Sequence, residues 1–121
     1  MILGFGIDLT ELDRIRQVAE RQSKFVDRVL TAGEQKQYEL FHGQRAIEYL
    51  GGRWSLKESF AKALQTGIGA SLGFHDVEIL DNNKGAPVVT KSPFNGHIKV
   101  SVSHTAGFVM TAVILEEENG K

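Results

Sequence analysis

The chain has 121 residues, 41% of them hydrophobic and 24% charged, with a formal net charge of -1 and no cysteine. That describes one globular domain, 1–121, with no surplus of Lys and Arg to bind nucleic acid, so any anion site has to be local. Disulfides, thiolate metal sites and cysteine nucleophiles are excluded. No apolar run approaches about 20 residues and no basic-then-apolar leader is present, so a cytoplasmic protein without a membrane partner is expected.

Residues 2–9, "ILGFGIDL", read as a buried strand interrupted by Gly4 and Gly6, with Asp8 at its end. Thr10 and Asp13 resemble a capping box opening a helix that continues through Leu12, Ile15 and Ala19. Ser23 is placed to cap a short helix through Leu30, and Thr31 with Glu34 forms a second box, opening a polar helix that stops at Gly43. A long helix then runs from about Gln44 to Gln65. Its apolar residues, among them Leu50, Trp54, Leu56, Phe60 and Leu64, fill more than half the circumference. The segment "TGIGASLG" is a glycine loop that permits close backbone approach.

Beyond Phe74 the period becomes alternating. His75–Leu80, Pro87–Thr90, His97–Ser103 and Phe108–Leu115 read as strands, His104 and Thr105 form a hairpin tip, and the tail 116–121 is expected to be flexible. Helices first and antiparallel strands later, with one strand from the N-terminus, give an α+β fold. Its small sheet has few strands to cover its own edges and faces, which favours oligomerisation.

Arg53 and Lys57 fall inside the apolar arc of the long helix, and Glu58 and Lys62 lie on its rim. A cation removed from water costs several kcal/mol unless something pairs with it, and a polyphosphate with Mg²⁺ would pair all of these charges at once. Asp8 either supports a helix N-terminus or ligates a metal; magnesium needs only one or two protein carboxylates when phosphates and water complete its shell. Glu58 and Lys62 also fit a plain i,i+4 ion pair, and His104 fits a polar turn residue, a proton shuttle or a phosphate contact. Arg14, Arg21 and Arg28 recur every seven residues with Val18 and Phe25 between them. The pattern suits an acidic partner protein, or a solvated face.

"GFGIDLTELDRI", "GGRWSLKESFAKAL" and "SVSH", in this order and spacing, resemble the holo-acyl-carrier-protein synthases, the small bacterial type of 4'-phosphopantetheinyl transferase, from Ile2 to about Leu115. The resemblance implies transfer of phosphopantetheine from coenzyme A to a serine of apo acyl carrier protein, releasing adenosine 3',5'-bisphosphate and supporting fatty acid biosynthesis. It implies a homotrimer, its sheets around the threefold axis and its active sites between subunits. Asp8 and Glu58 would then ligate Mg²⁺, or Mn²⁺. Arg53, Lys57 and Lys62 would hold coenzyme A phosphates, with His104 and Thr105 near the 3'-phosphate. The strand around Gly85 to Pro87 and the glycine loop would line the substrate, and the Arg14 face would receive the carrier. Lys62 would stabilise the leaving phosphate, and Glu58 is a further candidate to take the serine proton. Larger relatives carry a second acid two positions after the first, where this chain has Thr10. The alternatives are a coenzyme A-binding regulator without transfer chemistry, and a structural protein whose helical charges pair across subunits.

Overall fold

A computed structural model of the protein describes residues 1–69 and 71–118. In chain order the elements are β1 (Ile2–Glu11), α1 (Leu12–Arg21), α2 (Phe25–Val29), α3 (Ala32–Tyr38) and α4 (Gly43–Ala63). A short 3₁₀ turn (Phe74–Asp76) leads to β2 (Glu78–Asp81), β3 (Pro87–Lys91), β4 (His97–His104) and β5 (Phe108–Glu116). This is the expected α+β arrangement. β1, β5 and β4 form one antiparallel sheet in that order, and β2 pairs with β3 in a second.

Helix α4 is the axis of the molecule, buried along most of its length from Tyr49 to Ala63. Leu56 and Phe60 pack with Val113, Leu115, Val77 and Ile79, while Tyr49 and Leu50 pack with Ile15, Phe25, Val29 and Leu30. A helix covered by a sheet on one side and by helices on another must be apolar around most of its circumference. No helix among the described residues is long and apolar enough to cross a membrane.

The two glycines of β1 set the depth at which that strand lies on α4. A Cβ at Gly4 would stand 2.2 Å from the carbonyl oxygen of Ala63, and one at Gly6 would stand 2.0 Å from that of Ser59. Both obstacles are backbone, which cannot swing aside as a flexible side chain can. Gly6→Ala should therefore push β1 away from α4 and cost about 3 kcal/mol of stability, measurable by denaturant unfolding.

Alternation along β1 turns Gly4, Gly6, Asp8 and Thr10 toward α4, and Leu3, Phe5, Ile7 and Leu9 outward. Those four outward side chains are 52%, 59%, 52% and 65% exposed, and Met110, opposite Leu9, is 52% exposed. The sheet thus presents an apolar outer face larger than a scatter of single residues.

Several local expectations are corrected. Thr10 does not cap α1, because β1 pairs with β5 through Glu11. Glu11 precedes the helix without a side-chain cap, and the Thr10 hydroxyl bonds Asp8 instead. Asp8 accordingly lies inside the strand, opposite Thr111, and not at its end. Lys24, not Ser23, precedes α2. Gly43, with φ of +59°, opens α4 after α3 has already ended at Tyr38. The strand expected from His75 begins only at Glu78, since the Asp76 carboxylate accepts the Gly73 N–H at 2.8 Å and closes a turn. Glu116 still belongs to β5 and the Glu117 N–H bonds the Met1 carbonyl, so the tail leaves the sheet later than expected; residues 119–121 lie outside the described residues. The Thr31–Glu34 capping box forms as expected.

Candidate active site

The glycine-mediated contact of β1 with α4 brings Asp8 against Ser55 and Lys62. One carboxylate oxygen of Asp8, Oδ2, accepts from Ser55 Oγ at 2.8 Å and Thr10 Oγ1 at 2.5 Å. The other, Oδ1, accepts from Lys62 Nζ at 3.1 Å, and the same ammonium donates to the Ile7 carbonyl at 3.1 Å. Behind Ser55, the Thr111 and Ser59 hydroxyls continue the network at 2.8 and 2.7 Å. Two hydroxyl donors thus hold Oδ2, and Oδ1 faces a cation.

Glu58 lies one turn before Lys62 on α4. Burial pushes its carboxyl above the usual range, the Asp8 charge adds to this, and Lys62 opposes it. Lys62 pairs with Asp8, so the simple i,i+4 pair with Glu58 is not the one formed among the described residues. Half-buried carboxylates that repel one another form a hard-oxygen donor set suited to Mg²⁺. Among the described residues no third acid or histidine joins them, so water and substrate oxygens would complete the shell.

A groove of about 190 Å³ leads from Asp8 past Thr10 and Trp54 to Arg14, Val18 and Phe25. Arg14, Arg21 and Arg28 are exposed and Val18 is half-buried. Phe25 is only 7% exposed and belongs to the core among Ile15, Val29 and Leu50, which corrects its reading as an exposed apolar contact.

A second cavity, of about 230 Å³, gathers Arg53, Gly85, Pro87 and His104, which come from three segments widely separated in the sequence. Phe41, Arg45, Glu48 and Tyr49 also line it. Arg53 is held rigidly: Nε donates to the Ile79 carbonyl at 2.6 Å, Nη2 to Asp81 Oδ1 at 2.6 Å, and the guanidinium lies 4.3 Å from the Tyr49 ring centre. The Tyr49 phenol is pushed up to about 12, chiefly by burial with Arg53 opposing, so it remains a hydrogen-bond donor. His104, expected at the hairpin tip, is instead the last residue of β4, opposite Val109; Thr105 follows it in the turn and donates its N–H to the Phe108 carbonyl at 3.0 Å. The glycine loop lines neither cavity among the described residues, and the two cavities share no lining residue.

Lys57 is the principal correction. Its ammonium is fully buried, donating to Glu34 Oε1 at 2.6 Å and to the Val29 carbonyl at 2.7 Å, and it reaches neither cavity. Burial lowers its affinity for the proton, and Glu34 opposes that. The partner of this cation is an acid of the same chain, not a phosphate. Arg45, not singled out from the sequence, is a further cation lining this cavity. It lies eight residues before Arg53, so both fall on one stripe of α4 at helical spacing.

The sequence model of the 4'-phosphopantetheinyl transferase superfamily matches residues 4–113. A holo-[acyl-carrier-protein] synthase of Limosilactobacillus reuteri is 64% identical over 98% of this chain and 99% of its own length. That of Levilactobacillus brevis is 54% identical over 98% of each chain. Among solved structures, the holo-(acyl-carrier-protein) synthase from Bacillus anthracis in complex with CoA (3',5'-ADP) matches with a TM-score of 0.91 and 35% identity, over 98% of this chain and 99% of that one. The synthase from Helicobacter pylori in complex with coenzyme A gives 0.79 and 34% identity over 93% and 99%. The chain therefore belongs to the 4'-phosphopantetheinyl transferase superfamily. Within it, likeness over nearly the full length makes this an enzyme of the holo-acyl-carrier-protein synthase type.

Proposed function

We propose that this enzyme transfers 4'-phosphopantetheine from coenzyme A to a serine of apo acyl carrier protein in a Mg²⁺-dependent reaction, and so supplies holo carrier to fatty acid synthesis in the cytoplasm. The observation that carries the reading is the Asp8 carboxylate: two hydroxyls saturate Oδ2, while Oδ1 accepts from the Lys62 ammonium, with the Glu58 carboxyl close enough to feel both charges. Asp8 and Glu58 would hold the metal, which when bound offsets charge on the pyrophosphate. Mn²⁺ suits the same oxygen donors.

The serine oxygen attacks the β-phosphorus, a new P–O bond forms, and the bond to adenosine 3',5'-bisphosphate breaks. Lys62 balances charge on the departing phosphate. Glu58 takes the serine proton directly or through water, and its raised proton affinity supports that assignment. Arg53, Arg45, His104 and the Gly85–Pro87 segment cradle the nucleotide end, with Thr105 beside it. The Bacillus and Helicobacter synthases, solved in complex with coenzyme A, support coenzyme A as the ligand.

The enzyme acts as a homotrimer. The exposed apolar face of β1 and β5 supports such burial, and neighbouring subunits would then join the acid cluster of one copy to the nucleotide pocket of another. The groove running from Asp8 to Arg14 admits the carrier, whose acidic surface meets Arg14, Arg21 and Arg28.

The reading is tested by chromatography of apo carrier, coenzyme A and Mg²⁺ incubated with the enzyme: one bisphosphate should appear per carrier consumed, and a chelator should stop it. Arg14→Glu should raise the KM for carrier about tenfold and weaken its salt dependence, leaving the KM for coenzyme A unchanged. An unchanged carrier KM would remove α1 from the docking surface.

A further inference from the structure

Among the described residues, the edge of β2 away from β3 has no strand partner, yet its backbone groups at Ile79 and Asp81 are bonded. The Ile79 N–H donates to Glu34 Oε2 at 2.7 Å, and the Ile79 carbonyl accepts from Arg53 Nε at 2.6 Å. Two residues on, the Asp81 N–H donates to Gln37 Oε1 at 3.0 Å, and the Asp81 carbonyl accepts from Gln37 Nε2 at 3.0 Å. A primary amide that both donates to and accepts from one residue reproduces the pairing of a neighbouring strand. Glu34 and Gln37, one turn apart on α3, thus stand with Arg53 in place of a third strand. The Tyr49 hydroxyl donates to the same Gln37 Oε1 at 2.9 Å and fixes which end of the amide accepts.

Asp81 is the last residue of β2 before the turn that carries Gly85 and Pro87 to the nucleotide pocket. That turn is rigid in itself. Asn82 Oδ1 accepts from the N–H groups of Lys84 and Ala86 at 2.9 and 3.0 Å, and the Asn82 N–H donates to the Ala86 carbonyl at 2.8 Å. A rigid turn moves as a body, so its position over the pocket is decided where β2 enters it. The side chain of Asp81, whose backbone the clamp holds, bonds Arg53 Nη2 at the pocket wall.

We infer that Gln37 is a positioning residue for nucleotide binding, clamping Asp81 so that the Gly85–Pro87 segment and Arg53 face coenzyme A together. The inference rests on the assignment of this pocket to coenzyme A. It places on α3, outside the pocket, a determinant of substrate affinity that makes no contact with substrate.

The test compares wild type, Gln37→Met, which keeps the length of the side chain but neither hydrogen bond, and Lys36→Met as an exposed control on the same helix. Calorimetry with 3',5'-ADP and steady-state kinetics are both read. Gln37→Met should weaken 3',5'-ADP binding and raise the KM for coenzyme A about tenfold, with kcat and the KM for carrier within about twofold. Lys36→Met should match wild type. Gln37→Glu keeps the acceptor and loses the donor, so it should fall between the two and serves if the Met variant does not fold. Equal binding by wild type and both Gln37 variants overturns the inference while the pocket assignment stands; so does a parallel fall of every constant, which marks a merely structural residue. A wild type that binds neither 3',5'-ADP nor coenzyme A overturns the pocket assignment and the inference with it.

Discussion

Glu58→Gln should lower turnover about a hundred- to thousandfold and at the same time raise the thermal midpoint at neutral pH. The loss follows from removing one of two carboxylates proposed to hold the metal, and the one proposed to take the serine proton. The gain follows from electrostatics. Burial and Asp8 raise the folded carboxyl above its ordinary value, so the folded state keeps its proton at a pH where the unfolded chain has released it. Stability associated with that proton is present in acid and is lost as pH rises through the raised value. At neutral pH the ionised side chain is therefore a liability to the fold, and the neutral amide removes it. The midpoint difference should vanish below the ordinary carboxylate range, where Glu58 is protonated in both states. Scanning calorimetry of both proteins across pH 3 to 8, beside kcat at saturating Mg²⁺, checks both halves. A stabilised and fully active variant would take Glu58 out of the reaction.

Lys57→Met should cost about 3–5 kcal/mol of stability, because it strands the Glu34 carboxylate without a counter-charge in a fully buried position. It also leaves the Val29 carbonyl without its donor. Glu34→Leu/Lys57→Met should cost less than the sum of the two single changes, since no unpaired charge remains. It should not be neutral. Glu34 also receives the N–H groups of Thr31 and Ile79, and a leucine satisfies neither. Denaturant unfolding gives these values. In the fraction that stays folded at low temperature, Lys57→Met should keep the wild-type KM for coenzyme A, whereas a phosphate-holding lysine would raise it.

Much of this architecture is legible in the sequence because its signals are local. The Thr31–Glu34 box, the period of α4 and the alternation of β4 and β5 each lie within a few turns or one strand. The carboxylates of the acid cluster are visible as residues, and the resemblance of "GIDL" and "WSLKESFAKA" joins them. What is hidden depends on contacts between distant segments. Lys57 reads as a cation waiting for an anion because its partner lies 23 residues earlier and is already occupied in a capping box. One carboxylate doing both jobs leaves no second mark in the sequence. Asp8 reads as the end of a strand because Thr10 carries a plausible capping pattern, yet pairing with β5 through Glu11 outweighs a local cap. The apolar outer face of β1 is masked because glycines occupy the inner face, so the strand reads as uniformly buried. Arg45 is lost among the polar residues of the first turn of α4, and only the fold turns it toward the same cavity as Arg53.

The most direct measurement is the intact mass of an apo acyl carrier protein after incubation with the enzyme, coenzyme A and Mg²⁺, beside samples containing chelator or Asp8→Ala enzyme. The account predicts a single phosphopantetheine adduct on the carrier serine with the wild type and Mg²⁺, and no adduct in the other two samples. An unmodified carrier in every sample, across several carrier proteins and with coenzyme A still bound by the wild type, would contradict it and identify a coenzyme A-binding regulator instead.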